Sequence, residues 1–260
     1  MGALTQVAQE PFVPPGTQDF DLPPIVAGIT KPMVLVVLSI IIVAGFFLIA
    51  MRKPRLVPGR LQFAAESLYN IGRNNIARDQ IGAPDFLPFV PLIVSLFCFI
   101  LVNNLFGIVP LLQFPTMAHI GFPLALSVLV VYPVYHGVGI RRHGLGGYLK
   151  KEIFPPNVPK PVYVLLAPIE IFTKFVMNPI TLAIRVFAAM FSGHLLLVVF
   201  TVAGSWLLLD ASGIFKPVSL ISWAFAIALT FLEALIEVVQ AYIFAMLTAS
   251  YIGMALASEH

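Results

Sequence analysis

The sequence predicts an all-α integral membrane protein with about five membrane-embedded helices plus an amphipathic surface helix, the last two helices being long, strongly tilted and paired in a hairpin. Composition is the first observation behind this prediction, because 59% of the 260 residues are apolar and only 10% are charged, whereas soluble domains have about 25% charged residues. The apolar runs are also continuous, unlike the alternating segments of about ten residues in a membrane β-barrel. Finally, the last two runs are each about twice the length of a perpendicular span.

Composition and short motifs exclude several classes of function. The single cysteine, Cys98, lies in an apolar run and cannot form an internal disulfide. The chain has no His-Glu-x-x-His zinc motif and no P-loop, so we expect no metal, no cofactor and no nucleotide site of its own. The net charge is +3, and the basic residues lie at the ends of apolar runs. This pattern is typical of membrane topology rather than of nucleic-acid binding.

The chain begins with an arm, a first span and a surface helix. Residues 1–30 are rich in proline and carry acidic residues, and we interpret them as an arm at the outer membrane face. Residues 33–51 are just long enough to cross about 30 Å of hydrocarbon. They end against a cluster of Arg and Lys residues, which marks the cytoplasmic side or, in an organelle, the matrix side. Residues 61–81 mix apolar and charged residues, and they are interpreted as an amphipathic helix on the inner face or as a partner-docking helix.

Two more spans and the long hairpin complete the chain. Residues 86–112 return to the outer side, and residues 120–140 cross inward again and are followed by a loop rich in Arg and Lys. The two long helices are residues 162–209 and 218–257. Counting crossings places the N-terminus outside and the C-terminus in the cytoplasm, and the basic residues favour a bacterial plasma membrane. We expect residues 1–260 to form a single membrane domain.

Arg185 lies deep inside the first of the two long runs. A guanidinium stays charged at any ordinary pH, and in hydrocarbon it costs at least about 2.5–3.5 kcal/mol. Arg185 is too far from either end of its run to reach the interface easily. It is therefore either half of a structural ion pair with an acid on a neighbouring helix or a residue whose function needs a fixed positive charge. We favour the functional interpretation.

The last helix carries a polar stripe. Glu233, Glu237 and Gln240 follow one another at i, i+4 and i+7, so they share one face of an otherwise apolar helix. Because the hairpin is antiparallel, we expect His194 and Glu233 to lie toward the outer side and Gln240 to lie deeper, near the level of Arg185. Histidine and carboxylate groups can pass protons, whereas a fixed arginine cannot. The pattern therefore predicts a proton path that is interrupted at Arg185.

Glu170 and Lys174 form a second charged pair near the predicted inner surface. The two residues are i, i+4 neighbours, so they can form an ion pair on one helix face. Such a pair is either structural or flanks a water path on the inner side.

Three stretches carry recognisable motifs. Residues 179–194 read P-x-x-L-x-x-R-x-F followed by M-x-x-G-H, residues 240–244 read Q-A-Y-I-F, and residues 104–107 read N-L-F-G. Together they resemble subunit a of the rotary F-type ATP synthase, bacterial type. The first stretch is similar to the segment with that family's essential arginine, the second to its final-helix signature, and the third to a weaker family feature. The resemblance covers nearly the whole chain.

The resemblance implies a non-catalytic proton-channel subunit of the stator, with two offset half-channels beside a ring of c subunits. Proton translocation through these half-channels would drive rotation of the ring and ATP synthesis. It implies that Arg185 faces the ring and that Gln240 lies close to Arg185. His194 and Glu233 match the positions of the outer-channel pair, whose two residue types are exchanged in some bacterial members.

The resemblance also implies an inner half-channel, which we expect near Glu170 and Asn178. Many family members have Gly-Asn where this chain has Ala188-Ala189, and we expect Glu237 to compensate for the missing asparagine. The implied partners are the c-subunit ring, the b-type peripheral stalk subunits, the rest of the ATP synthase and the lipid membrane. No nucleic acid is expected among them.

Two other interpretations use the same buried charges. A self-contained proton-coupled secondary transporter predicts an internal repeat, and the sequence shows none. A membrane scaffold would pair Arg185 with Glu233 or Glu237 for structural reasons alone.

Overall fold

The computed structural model describes residues 12–16, 18, 28, 30–109, 112–154, 162–209 and 216–257. None of these residues belongs to a β-strand, and most of them are helical. Most of the predicted outer arm at residues 1–30 lies outside the described residues. The same holds for residues 258–260, the end that the sequence assigns to the cytoplasm.

Five helices are long and apolar enough to cross a membrane, which confirms the predicted fold class. Numbered in chain order, the main helices are α1 (Lys31–Ala50), α2 (60–81), α3 (Leu87–Leu105), α4 (Gly121–Ile153), α5 (163–209) and α6 (Lys216–Leu256). α2 is the amphipathic helix, and it is not one of the five. α2, α4 and α5 each contain a π-helical stretch.

α1 is attached to α3 by a buried polar contact. The Asn103 amide of α3 donates a hydrogen bond to the Ser39 hydroxyl of α1 over 2.8 Å, and both side chains are fully buried. At the start of α1, the Lys31 ammonium donates to the Leu112 carbonyl over 2.6 Å. Few other side chains of α1 are buried, so most of this helix is left to lipid or to another subunit.

α2 packs against α3 and α6 through its apolar side. Ile76 and Ala77 are fully buried, as expected of an amphipathic helix. Gly72 permits a close approach to α3, because a Cβ at this position would lie 2.5 Å from the Val94 side chain. The helix ends at Gly82, whose φ of 97° is a left-handed conformation that favours glycine.

α4 is longer than the sequence predicts. The predicted span ends at residue 140 and a basic loop follows it, whereas the helix extends to Ile153. Gly144 breaks it with a left-handed φ of 70°, and the last turns fold back on the preceding ones. Tyr148 packs over Gly139 so closely that a Cβ there would lie 2.3 Å from its ring. The glycines and charges of this segment lower its apolar signal, and Gly144 interrupts the helix and changes its direction, while the residues on both sides of it are helical.

α3 also differs from its predicted span. The sequence predicts a segment over residues 86–112, whereas the helix is Leu87–Leu105 and is followed by turns. The Gly107 backbone N–H bonds to the Asn104 carbonyl over 2.8 Å, which is a turn rather than a further α-helical bond. The apolar character of the sequence continues beyond the point at which the helical hydrogen bonding stops.

α5 and α6 form an antiparallel hairpin. Near its closed end, the Trp223 ring of α6 lies over Gly204 of α5, where a Cβ would be 2.3 Å from the ring. Further along, Gly193 of α5 faces Glu233 of α6. Residue numbers therefore fall along α5 as they rise along α6, which is the arrangement that the sequence predicts.

The core lies where α3, α4, α5 and α6 meet. Ala241, Ala245 and Ala249 are fully buried along one face of α6, beside Phe244 and Ile252. Alanines at this spacing let neighbouring helices approach closely. In the preceding turns, the same face of α6 carries the polar stripe. The polar stripe and the apolar core therefore form one continuous buried surface.

The contact between α6 and the end of α2 gives a stability prediction. A Cβ at Gly253 would lie 2.3 Å from the Gln80 carbonyl oxygen, and a backbone atom cannot move aside as the end of a side chain can. We expect Gly253→Ala to destabilise the protein by about 1–3 kcal/mol, as overpacking does, and to lower the melting temperature of the detergent-solubilised complex. The control is Gly137→Ala in α4, where nothing lies within 4 Å. Equal melting temperatures for the two variants would contradict the prediction.

Candidate proton path

His194 and Glu233 form a buried pair between α5 and α6. Nδ1 of His194 lies 3.8 Å from Oε1 of Glu233, and the two residues are only 8% and 3% exposed. Gly193 lies against the acid, since a Cβ at this position would be in ordinary van der Waals contact with Cγ of Glu233, at 3.5 Å. The structure thus brings together the two residues expected at the outer side. An imidazole and a carboxylate at this distance can exchange a proton after a small movement or through one water.

Glu237 lies one turn further along α6 and is fully buried. Asn104 of α3 donates a hydrogen bond to its backbone carbonyl over 3.3 Å. Gly107 lies against its carboxylate, since a Cβ there would be 3.1 Å from Oε1. Neither carboxylate oxygen of Glu237 has a hydrogen-bond partner among the described residues. A buried carboxyl group in this position is costly unless it is protonated or hydrated.

A cavity of about 300 Å³ opens beside His194. Polar groups in its lining come from α5, α6 and the segment after α3: Gln113, His194, Thr201 and Thr230. Gly107 belongs to the same lining and also touches Glu237. The cavity has room for several waters, because one water occupies about 30 Å³ of the liquid.

Arg185 is exposed on the flank of α5. The exposed residues around it recur at helical spacing and form one face, the Arg185 stripe: Thr181, Ile184, Arg185, Ala188 and Ser192. Arg185 takes part in none of the ion pairs found within the described part of the chain. The scaffold interpretation, in which Arg185 pairs with Glu233 or Glu237, is therefore wrong for this structure.

Gln240 is buried at the depth of Arg185. The contact between Gly193 and Glu233 gives the register of the hairpin. When this register is continued along both helices, Arg185 lies level with the α6 turn that carries Gln240. The amide nitrogen of Gln240 has no hydrogen-bond partner among the described residues. The Arg185 guanidinium is also within electrostatic reach of the Tyr251 hydroxyl on α6.

A second cluster of charges lies on the other side of Arg185 along α5. Lys174 pairs with Glu170 at 3.3 Å, as their i, i+4 spacing predicts. Lys174 also pairs with Glu152 of α4 at 3.1 Å, and the Tyr135 hydroxyl donates to the Glu152 carboxylate over 2.9 Å. Glu152 carries no sequence signal of its own, because it follows two lysines in a segment predicted to be a loop.

Asn178 lies between this charged cluster and Arg185. It is partly buried, and its side chain interacts with the Tyr132 hydroxyl of α4. Among the described residues, no group of three or more His, Cys, Asp or Glu side chains has the arrangement of a metal site. The chemistry that these residues support is proton transfer, on two sides of one fixed positive charge.

Comparison with known proteins identifies the family. The ATP synthase A chain family matches residues 33–253. ATP synthase subunit a of Pseudarthrobacter chlorophenolicus is 44% identical over 266 residues, which cover 100% of this chain and 99% of the relative. The subunit a of a Nocardioides species is 43% identical over 96% of this chain and 95% of the relative. That of Streptomyces lividans is 39% identical over 88% and 80%. The chain belongs to the ATP synthase subunit a family.

Family membership confirms the function that the motifs predicted. As an ATP synthase subunit a, the chain is a multi-pass membrane protein and the proton-channel stator subunit of the F-type complex. It is a non-catalytic subunit, so any nucleotide chemistry belongs to other chains of the complex. A self-contained secondary transporter is therefore the wrong interpretation of its buried charges.

Proposed function

We propose that Arg185, His194, Glu233, Glu237 and Gln240 form the proton-translocating site of this subunit, arranged as two offset half-channels beside a ring of c subunits. Protons enter the outer half-channel, neutralise a ring carboxylate, travel with the rotating ring and leave through the inner half-channel. One observation carries the proposal. The carboxylates of Glu233 and Glu237 and the amide nitrogen of Gln240 are buried on one face of α6 without hydrogen-bond partners among the described residues.

The outer half-channel begins at the cavity beside His194. Buried polar atoms in native proteins are as a rule bound to protein, water or a ligand, and water filling this cavity reaches His194. His194 exchanges protons with Glu233, which lies 3.8 Å away. Glu237 is about 6 Å further along the helix axis and is reached through the lining at Gly107. The path thus runs from the cavity toward the depth of Gln240.

Arg185 separates the outer half-channel from the inner one. Its stripe contains Ala188 and Ser192, which are small enough to let a helix of a neighbouring ring approach closely. A guanidinium opposite a ring carboxylate keeps that carboxylate ionised until it has moved past, and it repels a proton that would otherwise cross directly. Gln240 lies at the same depth and can donate a hydrogen bond to the same carboxylate.

The inner half-channel runs from Asn178 to Glu170 and Lys174. The last two side chains are about a quarter exposed, at 25% and 27%, so water reaches them. Arg141 and Arg142, which are exposed, lie on the α4 segment that leads to this cluster. By the positive-inside rule this end faces the cytoplasm of a bacterial plasma membrane, with the C-terminus inside and the N-terminus outside. The b-type peripheral stalk subunits and the rest of the ATP synthase are the remaining partners.

Disulfide cross-linking tests the proposed position of the ring. Ala188 is exposed on the Arg185 stripe, whereas Ala183 is fully buried on the same helix. In a Cys98→Ala background, we expect Ala188→Cys to cross-link under mild oxidation to a cysteine placed next to the carboxylate of a c subunit, because a disulfide needs Cα atoms within about 7 Å. Ala183→Cys is the control and should not cross-link. Absence of the Ala188 cross-link in an assembled complex, or equal cross-linking at both positions, would place the ring elsewhere.

A further inference from the structure

A buried carboxylate at the inner end of the site has no role in the half-channels described above. Glu152 lies near the end of α4, in the segment that folds back after Gly144, and only 5% of it is exposed. On one side its Oε1 accepts the hydrogen bond from the Tyr135 hydroxyl, 2.9 Å away. On the other side its Oε2 lies 3.1 Å from the Lys174 ammonium of α5. The carboxylate therefore sits between a hydroxyl and a charged group that reaches the surface.

The hydroxyl side of this carboxylate leads toward Arg185. The Tyr135 ring is 6.1 Å from the Tyr251 ring of α6, measured between centroids, and the Tyr251 hydroxyl is within electrostatic reach of the Arg185 guanidinium. Tyr148 adds a further hydroxyl, whose oxygen lies 2.6 Å from Nδ1 of His136. Phenolic hydroxyls both donate and accept hydrogen bonds, so a series of them with intervening water can carry a proton.

On the other side of the Glu152 carboxylate, the Lys174 ammonium connects it to the partly exposed surface of the protein. Lys174 is shared between Glu152 at 3.1 Å and Glu170 at 3.3 Å, and it also donates to the Glu152 backbone carbonyl over 2.9 Å. Two carboxylates thus share one ammonium. When all three groups are ionised, the trio carries a net negative charge, which attracts a proton that arrives through Tyr135.

We propose that Glu152 is a proton-carrying residue of the inner half-channel, which takes protons from Tyr135 and releases them to water beside Lys174 and Glu170. This inference rests on the proposed function. In each transfer the O–H bond of Tyr135 breaks as an O–H bond forms on Oε1 of Glu152. In the same concerted step the Tyr135 oxygen takes a proton from a hydronium ion on its Tyr251 side, which carries the proton released by the ring, so that no phenolate forms. Protonated Glu152 gives its proton to surface water, and Lys174 stays charged throughout. In ATP-driven pumping the same steps run in reverse.

Substitution of Glu152 in the whole complex tests the proposal. We expect Glu152→Gln to lower ATP-driven proton pumping per assembled complex by about tenfold or more, since a positioned acid–base group contributes about 10²–10⁴-fold to a proton transfer and water replaces part of it. Because proton transfer then limits the rate, the ratio of pumping rates in H₂O and D₂O should rise above that of the unmodified complex. Glu152→Asp keeps a carboxylate and should retain most of the pumping.

A double variant separates proton transfer from ion pairing. Glu152→Gln with Lys174→Gln removes both members of this ion pair, and the Glu170 carboxylate, which is 25% exposed, is then left to water. We expect the double variant to stay as slow as Glu152→Gln and to keep the raised isotope ratio. Recovery of pumping in the double variant, an unchanged isotope ratio, or normal pumping in Glu152→Gln would overturn the proposal. His194→Ala is assayed in parallel. If both His194→Ala and Glu152→Gln leave pumping intact, the proposed outer half-channel is wrong as well as the role of Glu152. If only His194→Ala abolishes pumping, only the role of Glu152 is wrong.

Discussion

Replacing Arg185 with alanine should abolish ATP-driven proton pumping and open a passive proton leak, while the complex still assembles. The guanidinium lies on the exposed flank of α5 and forms none of the ion pairs within the described part of the chain. Its removal therefore leaves no buried acid of this chain unpaired, and we expect little effect on folding. What is lost is the fixed positive charge between the two half-channels.

The expected size of this effect follows from the charge–charge interaction. At 4 Å, opposite unit charges attract by about 4 kcal/mol at an effective dielectric constant of 20, and each 1.4 kcal/mol is about tenfold in an equilibrium. Without Arg185, the ionisation equilibrium of a ring carboxylate beside it shifts about a thousandfold toward the protonated form. A ring carboxyl group that stays protonated at this position can pass its proton directly from one half-channel to the other. Proton flow is then no longer coupled to rotation of the ring.

Proton flux and pumping measured on the same membranes check this prediction, with co-purification of the ring as the measure of assembly. Arg52→Ala is the matched control, because this arginine is also exposed but lies just after α1, and it should pump normally. Persistent pumping by an assembled Arg185→Ala complex would mean that the charge is not the barrier. If the ring does not co-purify with the Arg185→Ala variant, Arg185 is needed for assembly and its role is structural.

The sequence predicts the central part of the site because helical periodicity is a strong signal. Glu233, Glu237 and Gln240 share a face at helical spacing, and all three are buried in the structure. Antiparallel pairing of two long apolar helices is enough to bring His194 to Glu233. The pair of Glu170 and Lys174 follows from i, i+4 spacing alone. All of these inferences use only the spacing of residues within one helix and the pairing of the two hairpin helices.

The inner end of the site is not predictable in the same way. Glu152 reaches Lys174 only because Gly144 reverses the direction of α4, and a left-handed glycine within a helix has no distinct sequence pattern. The segment after residue 140 contains several glycines, arginines and lysines, which together are typical of a loop. Contacts such as that of Asn104 with the Glu237 carbonyl depend on how α3 packs on α6, and periodicity within one helix does not determine this.

Exchanging the two members of the outer pair should restore what each single substitution removes. His194→Glu places two acids side by side in a buried site, and Glu233→His places two imidazoles there, so each single variant loses the complementary pair. We expect each to reduce ATP-driven pumping by about tenfold or more. The double variant again has one imidazole and one carboxylate at the same two positions. We expect it to recover most of the loss, because residues in contact are coupled by about 0.5–3 kcal/mol.

The comparison of single and double variants decides whether the pair acts as a unit. Ser205→Ala on α5 is the control, since its hydroxyl donates only within its own helix, to the Thr201 carbonyl over 3.1 Å, and it should leave pumping unchanged in every background. If the losses of the two single variants simply add in the double variant, the 3.8 Å contact between His194 and Glu233 has no role in proton entry. Recovery in the double variant, by contrast, shows that the two residues act as a coupled pair, because a cavity that conducted through water alone would not depend on an imidazole facing a carboxylate.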